Sequence, residues 1–470
     1  MSESLAKPGG VRVDRTPASN RDLTQGSISI HMVRLTSFMM LGMVSFTVAS
    51  LIETVYIGQV GTSALAAVGF TFPLVYTLQG FSMGLSVGAS SVVARTIGMG
   101  DREKVKRLAT HCLLLVTVVS LLVGCVSYFL LESIFSLLGA SDVILPLAVA
   151  YMSIWLMGLP VFTVSFVGTT LMRASGDAIT PGYLMAIGSL LHVAIAPFFI
   201  FGIGPCPEMG LEGAALSFVI ARYISCIMIA YCFIVRDRMM LFDLTGFFGS
   251  CREILHVGLP SVATNLIMPV SMSVVTRLLA GHGAVVVAGF GVASRIESML
   301  IMLIFAVSIS ISPVVGQNWG ARQFDRIKKA MRISNIFVLL WGGMSYLILI
   351  TFGEYIVSMI NDDPEVVETA CNYLLIGPLS VGFMGVMSIA THSFNSLGKP
   401  VPPLILSLLQ MIVVGIPLAL LGNYLWGYMG IFAGQVLTAI CLSVVAWYWI
   451  RHTINVRIAR SRIHKVTHRV

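Results

Sequence analysis

Two titratable side chains lie inside stretches that are otherwise apolar. Glu53 occurs in the segment SLIETVYIGQVG and His192 in the segment SLLHVAIAPFF. An ionised carboxylate in the hydrocarbon of a membrane costs about 2 kcal/mol or more, so an intramembrane acid is first considered as a functional group. A carboxyl group and an imidazole that lie together in a low dielectric can exchange a proton near neutral pH. We therefore predict that Glu53 binds and releases a proton with the help of His192.

Each of these two side chains also has a structural interpretation. Glu53 is five residues before Gly58, about 7 Å along a helix, so its carboxylate could extend to the outer surface. A neutral His192 could instead be hydrogen-bonded within a helical bundle. The second half of the chain has Val275 at the position that matches Glu53, which argues against a packing requirement common to both halves.

Three further charged side chains fall inside apolar stretches, namely Arg222, Arg295 and Glu297. Residues two apart on a helix do not face each other, so Arg295 and Glu297 need different partners. Intramembrane charges usually face a cavity or the interior of a bundle. We predict that these three residues and Tyr56 line a substrate cavity, with structural ion pairs between helices as the alternative.

The sequence contains neither an HExxH zinc motif nor a GxxxxGK[ST] phosphate-binding loop, and its eight cysteines form no CxxC pair. Such patterns accompany metal sites and ATP hydrolysis. We therefore predict that the chain is not an enzyme, uses no cofactor or metal, takes no energy from ATP and binds no nucleic acid.

The apolar stretches are long enough to cross a membrane and must position these side chains. Of the 470 residues, 57% are hydrophobic and 11% are charged, against about 25% charged residues in soluble domains. A membrane-spanning helix needs about 20 apolar residues. Twelve stretches qualify, with approximate bounds of 34–57, 67–93, 108–131, 145–171, 181–203, 211–235, 252–280, 287–315, 330–352, 366–393, 402–421 and 428–450. The predicted fold class is an all-α membrane protein with twelve transmembrane helices.

Basic residues lie on alternate loops between these stretches. The second and eighth loops hold Lys104, Lys106, Lys328 and Lys329, whereas the first, third and other odd-numbered loops contain no Lys or Arg. Because cytoplasmic loops carry the excess of basic residues, both termini are predicted to be cytoplasmic, in a bacterial inner membrane. Residues 1–30 lack a signal-peptide pattern and are predicted to form a flexible cytoplasmic tail, and residues 451–470 a basic cytoplasmic tail.

The chain contains an internal repeat. With a shift of 222 residues the second half aligns under the first without a gap over more than 100 positions, so that Tyr151 matches Tyr373 and Gly176 matches Gly398. Because each repeat has an even number of spans, the two repeats are parallel and related by an axis along the membrane normal. We predict an N-terminal six-helix lobe (31–236), a cytoplasmic linker (237–251) and a C-terminal six-helix lobe (252–450).

Four segments in a characteristic order resemble the MATE (multidrug and toxic compound extrusion) family, nearest its DinF-like branch. They are GQVGTSALAAVG, LMRASGDAITP, FFIFGIGPCPEMGLEGAA and SPVVGQNWGA. The resemblance covers about Leu35 to Tyr448 and implies a V-shaped pair of lobes. It also implies a secondary active antiporter that exports small organic compounds, often cationic or amphipathic, by alternating access.

The resemblance also bears on the coupling ion. Glu53 matches the acid of the family's first-helix pattern, whereas His192 stands where DinF-like relatives usually carry Asn, and Ala196 where they carry Asp. A hard cation needs several oxygen ligands, so the changes at His192 and Ala196 favour protons over sodium.

Three alternatives remain open from the sequence. The first is a sodium-coupled exporter of the same family. The second is a lipid-linked oligosaccharide flippase of the same superfamily, which usually needs several cavity cations, and here only Arg222, Arg277 and Arg295 are available. The third is a membrane-embedded enzyme, which the missing catalytic patterns disfavour. The predicted partners are small organic substrates and the lipid bilayer.

Overall fold

The computed structural model describes residues 21–467 and consists of helices joined by short loops. Thirteen α-helices are described: α1 Ile28–Val60, α2 Thr62–Met99, α3 Arg102–Leu137, α4 Ile144–Ala174, α5 Ile179–Ile200, α6 Gly210–Tyr231, α7 Phe247–Ala280, α8 Ala284–Gly320, α9 Phe324–Ser358, α10 Pro364–Ile376, α11 Val381–Ser396, α12 Val401–Leu408 and α13 Ile416–Thr467. A π-helical turn, Cys232–Arg236, extends α6. No strand is assigned within the described residues. The prediction of an all-helical chain is therefore confirmed.

The thirteen α-helices form twelve membrane crossings. A short 3₁₀ turn at Gly377–Ser380 joins α10 to α11, so the segment Pro364–Ser396 crosses once. A π-helical segment, Leu409–Gly415, joins α12 to α13, and Trp426 and Gly427 interrupt α13 with non-helical backbone. Gly427 has a φ of 61°, a left-handed conformation that glycine adopts without a steric cost. This interruption divides the last 59-residue apolar segment, Val401–Ala459, into two crossings.

Two helices, α3 and α10, begin at residues whose side chains accept hydrogen bonds from free backbone amides. The side chain of Asp101 accepts a hydrogen bond from the Lys104 amide at the start of α3. At the start of α10, Asp363 accepts from the Glu365 amide, and Pro364 occupies the first helical position. Acidic caps followed by proline are typical helix start signals. These loops therefore turn tightly between neighbouring crossings.

The two lobes share apolar cores on one half of the molecule and keep separate cores on the other. The half that contains the start of α1 is the predicted cytoplasmic half, and there residues of α1, such as Met32 and Leu35, pack with residues of α8, α9 and α11. On the opposite half one core lies within the N-terminal lobe and another within the C-terminal lobe. The lobes are therefore joined at the predicted cytoplasmic half.

Small residues allow the lobes to approach closely at this junction. A methyl group added at Gly98 of α2 would collide with the Gln317 carbonyl oxygen of α8, and one added at Gly88 would collide with the Ile254 carbonyl oxygen of α7. Helices pack backbone to backbone only where such small residues face each other. The run Gly84 to Gly88 has the Gly-x-Ser-x-Gly spacing of a hydrolase nucleophile. It lies within continuous helix α2 and packs against α7, so it forms no strand-to-helix turn.

The segment 21–27 corrects the predicted extent of the N-terminal tail. Leu23 is 1% exposed, and its amide donates to the Gln317 side-chain oxygen while its carbonyl oxygen accepts from Asn318 and Arg326. Arg21 forms ion pairs with Asp177 and Asp237 of the N-terminal lobe. The predicted flexible tail through residue 30 was therefore too long. The polar sequence of residues 21–27 does not indicate that its backbone and Arg21 contact distant helices. Residues 1–20 of that predicted tail lie outside the described residues.

The inter-lobe linker is shorter than predicted and packs on the N-terminal lobe. Helix α7 begins at Phe247, so the last five residues of the predicted linker are helical. His111 of α3 lies 2.8 Å from the Asp243 carbonyl oxygen and 2.9 Å from the Ser250 hydroxyl. Hydrogen bonds from Thr245 lower the pKa of the exposed Asp243 carboxyl below its usual value, because they stabilise its ionised form. The basic segment 451–470 continues α13 as far as Thr467.

Candidate functional site

Glu53 and His192 face each other inside the N-terminal lobe. The Nε2 atom of His192 lies 3.5 Å from the Oε1 atom of Glu53, and their side chains are 5% and 17% exposed. The two buried atoms have no hydrogen-bond partner among the described residues. A shift of a few tenths of an ångström, or one bridging water, would join them. The arrangement can hold a proton between a carboxylate and an imidazole.

The helix ends explain why two residues with different predicted depths meet. The predicted spans place Glu53 about five residues from the outer end of the first span and His192 about eleven from that of the fifth. In the structure α1 continues to Val60 and α5 ends at Ile200. Glu53 therefore lies seven residues (60 − 53) before the end of α1, and His192 lies eight residues (200 − 192) before the end of α5. The difference falls to one residue, about 1.5 Å. Glu53 is also about 10 Å from the end of its helix, which disfavours the interpretation that it reaches the surface.

An aromatic wall with one cation completes this site. The His192 ring packs edge-on against Phe218, with ring centres 5.6 Å apart, and Phe218 stacks on Trp155. The guanidinium carbon of Arg222 lies 4.9 Å from the centre of the Phe218 ring. Arginine over an aromatic face is a favourable cation–π contact, and it keeps the positive charge inside an apolar wall. The predicted cavity residue Arg222 is thus placed beside the Glu53–His192 pair, over the Phe218 ring that also contacts His192.

Tyr56 lies one turn beyond Glu53 on α1. Its ring packs edge-on against Phe201, with centres 6.1 Å apart, and its side chain is half-buried against the core of the N-terminal lobe. The structure therefore places Tyr56 between the Glu53–His192 pair and the end of the lobe opposite the predicted cytoplasmic half. Its role in substrate contact stays a prediction.

Arg295 and Glu297 are separated, as their spacing on α8 requires. Glu297 is 6% exposed and accepts a hydrogen bond of 2.6 Å from the Tyr373 hydroxyl, within an aromatic group that includes Phe290 and Phe432. Arg295 is an exposed residue on another face of the helix. Glu297 thus belongs to the interior of the C-terminal lobe, and the predicted roles of both residues in a substrate cavity stay predictions.

A matched pair of tyrosines was missed by sequence reasoning about the site. Tyr373 contacts Glu297, and its repeat counterpart Tyr151 (373 − 222 = 151) is buried in the N-terminal lobe, where it interacts electrostatically with Glu53. Glu53 and Glu297 do not occupy matching positions, so the repeat alignment does not reveal that each lobe has an acid near this tyrosine. The sequence signal that could have found this pair is that both repeats have a tyrosine at this position.

Known proteins resemble this chain over nearly its whole length. The MatE family model matches residues 39–198 and 260–421, two segments that begin 221 residues apart (260 − 39). An FAD transporter of Shewanella oneidensis is 31% identical over 412 residues, covering 87% of this chain and 91% of that protein. A probable multidrug resistance protein of Bacillus subtilis, YoeA, is 24% identical and covers 84% of this chain and 86% of its own.

The fold agrees with a solved structure of the same family. The crystal structure of the Vibrio cholerae MATE transporter VcmN in the bent form superimposes with a TM-score of 0.87 at 26% identity, covering 91% of this chain and 97% of that one. The predicted V-shaped fold and the predicted absence of an enzymatic function agree with these comparisons. The chain therefore belongs to the MATE family, as a multi-pass membrane transporter of small compounds built from two six-helix lobes.

Proposed function

We propose that the chain is a secondary active antiporter that exports small amphipathic organic compounds in exchange for inward protons. The observation that carries this proposal is the 3.5 Å approach of Glu53 and His192 inside the N-terminal lobe. A carboxylate beside an imidazole suits a proton better than a cation that needs several oxygen ligands. The protein would lie in the inner membrane with both termini in the cytoplasm.

The closed junction supports proton entry from the outside. The lobes are joined on the predicted cytoplasmic half, while the Glu53 site lies seven residues from the other end of α1. A proton would thus reach Glu53 from outside in this conformation. Protonation removes the negative charge that an amphipathic cation would use for binding, so substrate and proton compete for the same carboxylate.

Gradient-driven transport in proteoliposomes tests this proposal. We expect an imposed pH gradient to drive export of a cationic dye by the wild type, with no requirement for sodium. Glu53→Gln should abolish gradient-driven export and retain dye binding, whereas His192→Asn should shift the pH optimum without stopping transport. Glu132→Gln, the same change at an exposed residue of α3, is the matched control and should transport normally. Vigorous proton-driven export by Glu53→Gln, or strict sodium dependence of the wild type, would contradict the mechanism.

A flavin dinucleotide is the second candidate substrate. The relative from Shewanella oneidensis is named an FAD transporter, and an aromatic wall with Arg222 suits a molecule that joins flat rings to a negatively charged diphosphate. Export of FAD from loaded proteoliposomes, measured by its fluorescence, separates this candidate from a cationic substrate. Competition between FAD and a cationic dye would indicate one shared pathway.

A further inference from the structure

A small cavity lies between the lobes on the predicted cytoplasmic half. Helices α1, α2 and α4 line it from the N-terminal lobe, and α8 and α11 from the C-terminal lobe. About 40 Å³ is open to the centres of water molecules, and one water needs about 10 to 15 Å³ by this measure. The cavity therefore has room for a few waters or for one group of about the size of a phosphate. It is separate from the Glu53–His192 site, which lies toward the other end of α1.

Arg173 brings an unneutralised positive charge to this cavity. The residue is 5% exposed, its Nη2 atom donates to the Thr170 hydroxyl at 2.7 Å, and its Nε atom is buried with no hydrogen-bond partner among the described residues. Its Nη1 atom has the Met185 sulfur at 4.0 Å, a weak acceptor. No carboxylate is among the described residues that line the cavity. A buried charge without a counter-charge is costly, so an anion would be stabilised here.

The lining around Arg173 contains further hydrogen-bonding groups. Hydroxyl groups of Ser90 and Ser312 line the cavity, and His392 Nδ1 lies 3.4 Å from the Ser312 hydroxyl. The hydroxyl of Ser396, also in the lining, donates to the His392 carbonyl oxygen. Ser90 and Ser312 are repeat counterparts (312 − 90 = 222), so the cavity lies where equivalent helices of the two lobes meet. Hydroxyl, imidazole and guanidinium groups around a small space are the usual partners of a phosphate.

A basic recess lies next to this cavity on the predicted cytoplasmic face. It has a volume of about 1400 Å³ and is lined by six cationic and two acidic side chains, which are Arg95, Lys104, Arg252, Arg322, Arg326 and Arg457 with Glu253 and Asp325. Helix α2 links the two spaces, since Ser91 lines the cavity and Arg95, one turn later, lines the recess. A recess with this charge raises the local concentration of anions.

We propose that the Arg173 cavity takes up the phosphate group of an anionic substrate while the lobes are apart on the cytoplasmic side and holds it as they close. The recess would collect the anion, and Arg173, with His392 and the serine hydroxyls, would hold its phosphate before the rest of the molecule reaches the N-terminal lobe. This inference rests on the proposed transport function and names the substrate class for its second candidate.

Binding of matched flavins to the full-length protein in nanodiscs tests the proposal. Riboflavin and FMN share one ring system and differ by a phosphate, so flavin fluorescence can report the binding of both. We expect FMN to bind the wild type at least about tenfold more tightly than riboflavin, since its phosphate would accept charge-assisted hydrogen bonds from Arg173. Arg173→Gln should remove this preference and leave riboflavin affinity unchanged, while Arg173→Lys should retain part of it. Inorganic phosphate should compete with FMN and not with riboflavin.

Control variants separate binding from folding. Ser312→Ala should weaken FMN binding, whereas Ser308→Ala, a buried serine one turn earlier on α8 and outside the lining, should not. Gel filtration of each variant reports whether it is folded. Equal affinity of the wild type for both flavins, no binding of either flavin, or an FMN preference that survives Arg173→Gln would overturn the proposal. Because these are equilibrium measurements without a gradient, they do not depend on whether Glu53 couples export to protons.

Discussion

Each lobe contains a buried acid near a tyrosine of the same repeat position, but the two arrangements differ in their contacts. In the C-terminal lobe the Tyr373 hydroxyl donates directly to Glu297 at 2.6 Å. In the N-terminal lobe Glu53 lies beside His192 instead, at 3.5 Å. The C-terminal acid is thus held by a short bond, while the N-terminal acid faces a group that can itself change charge. This contrast is the residue-level support for the proposal that proton exchange takes place in the N-terminal lobe.

The Tyr373–Glu297 bond leads to a prediction about stability. Tyr373→Phe should lower the free energy of unfolding by about 1 to 3 kcal/mol, because it leaves a buried carboxyl oxygen without its donor. Tyr151→Phe is the matched control and should cost less, since no side-chain hydrogen bond of Tyr151 is described within residues 21–467. Thermal unfolding followed by fluorescence measures both changes. Equal destabilisation by the two substitutions would contradict this assignment.

Among the secondary-structure elements and their connections, residues 21–27 form a strap that joins the two lobes. Residues 21–27 precede α1 of the N-terminal lobe, yet Leu23, Gln25 and Gly26 accept hydrogen bonds from Arg326 at the start of α9. The strap is fixed to its own lobe by Arg21, which pairs with Asp177 and Asp237. Opening on the predicted cytoplasmic side therefore requires that the contacts to Arg326 break.

Removal of the inter-lobe contacts should favour the state that is open on the predicted cytoplasmic side. Arg326→Gln eliminates charge-assisted bonds to three carbonyl oxygens, and a loss of about 1.4 kcal/mol would shift the equilibrium about tenfold. The reactivity of a single cysteine placed at Ser396, inside the lobe junction, reports that shift. Lys328→Gln, which removes a neighbouring charge of α9, is the control. Unchanged reactivity in Arg326→Gln would show that the strap does not hold the lobes.

The anchor of the strap also predicts a pH dependence. Burial tends to raise the pKa of the Asp237 carboxyl, but hydrogen bonds from Arg236 and Arg21 outweigh it and hold this pKa below its usual value of 3.8. A carboxyl with a lowered pKa stabilises the folded state above its unfolded pKa, and that contribution is lost as the pH falls through the folded value. The anchor should thus persist throughout the neutral range. Comparison of the unfolding temperatures of the wild type and Asp237→Asn between pH 7 and pH 3 checks this, since their difference should shrink only at the acidic end.

The whole molecule is closed at one end because its shared cores and close backbone contacts are concentrated there. Ser91 of α2 donates to the Asn395 carbonyl oxygen of α11, and Gln317 of α8 donates to the Ala174 carbonyl oxygen of α4. These bonds cross the lobe boundary on the half that the distribution of Lys and Arg predicts to be cytoplasmic. Alternating access would require the junction to open as a unit while the separate cores of the lobes stay intact.

Labelling of single cysteines tests the orientation of the whole molecule. Cysteines placed at Lys106 and Lys328 should be inaccessible to an impermeant reagent added outside intact cells, and the native Cys206 should be accessible. The reason is that the basic loops remain on the cytoplasmic side. Permeabilised cells provide the control, in which all three positions should react. Modification of position 106 or 328 from outside would reverse the assigned topology.

Much of the architecture follows from sequence alone, because hydrophobic length and charge distribution act locally. Span length identified the twelve crossings, and the shift of 222 residues identified the two lobes. The candidate acid Glu53 could also be recognised from the sequence, because placing a carboxylate in the membrane interior is energetically unfavourable and therefore usually serves a function. The predicted ends of segments were less accurate, as at the strap around Leu23. A polar sequence does not show whether its backbone finds hydrogen-bond partners in distant helices.

Only the tertiary structure decided which side chains meet. The extension of α1 to Val60 brings Glu53 level with His192, and helix packing places Arg222 over Phe218 and separates Arg295 from Glu297. The Arg173 cavity has five helices from two lobes as its walls, so no single stretch of sequence contains it. The physical reason is that sequence determines the period and length of each helix, whereas depth, rotation and contact partners depend on how helices far apart in the chain pack together.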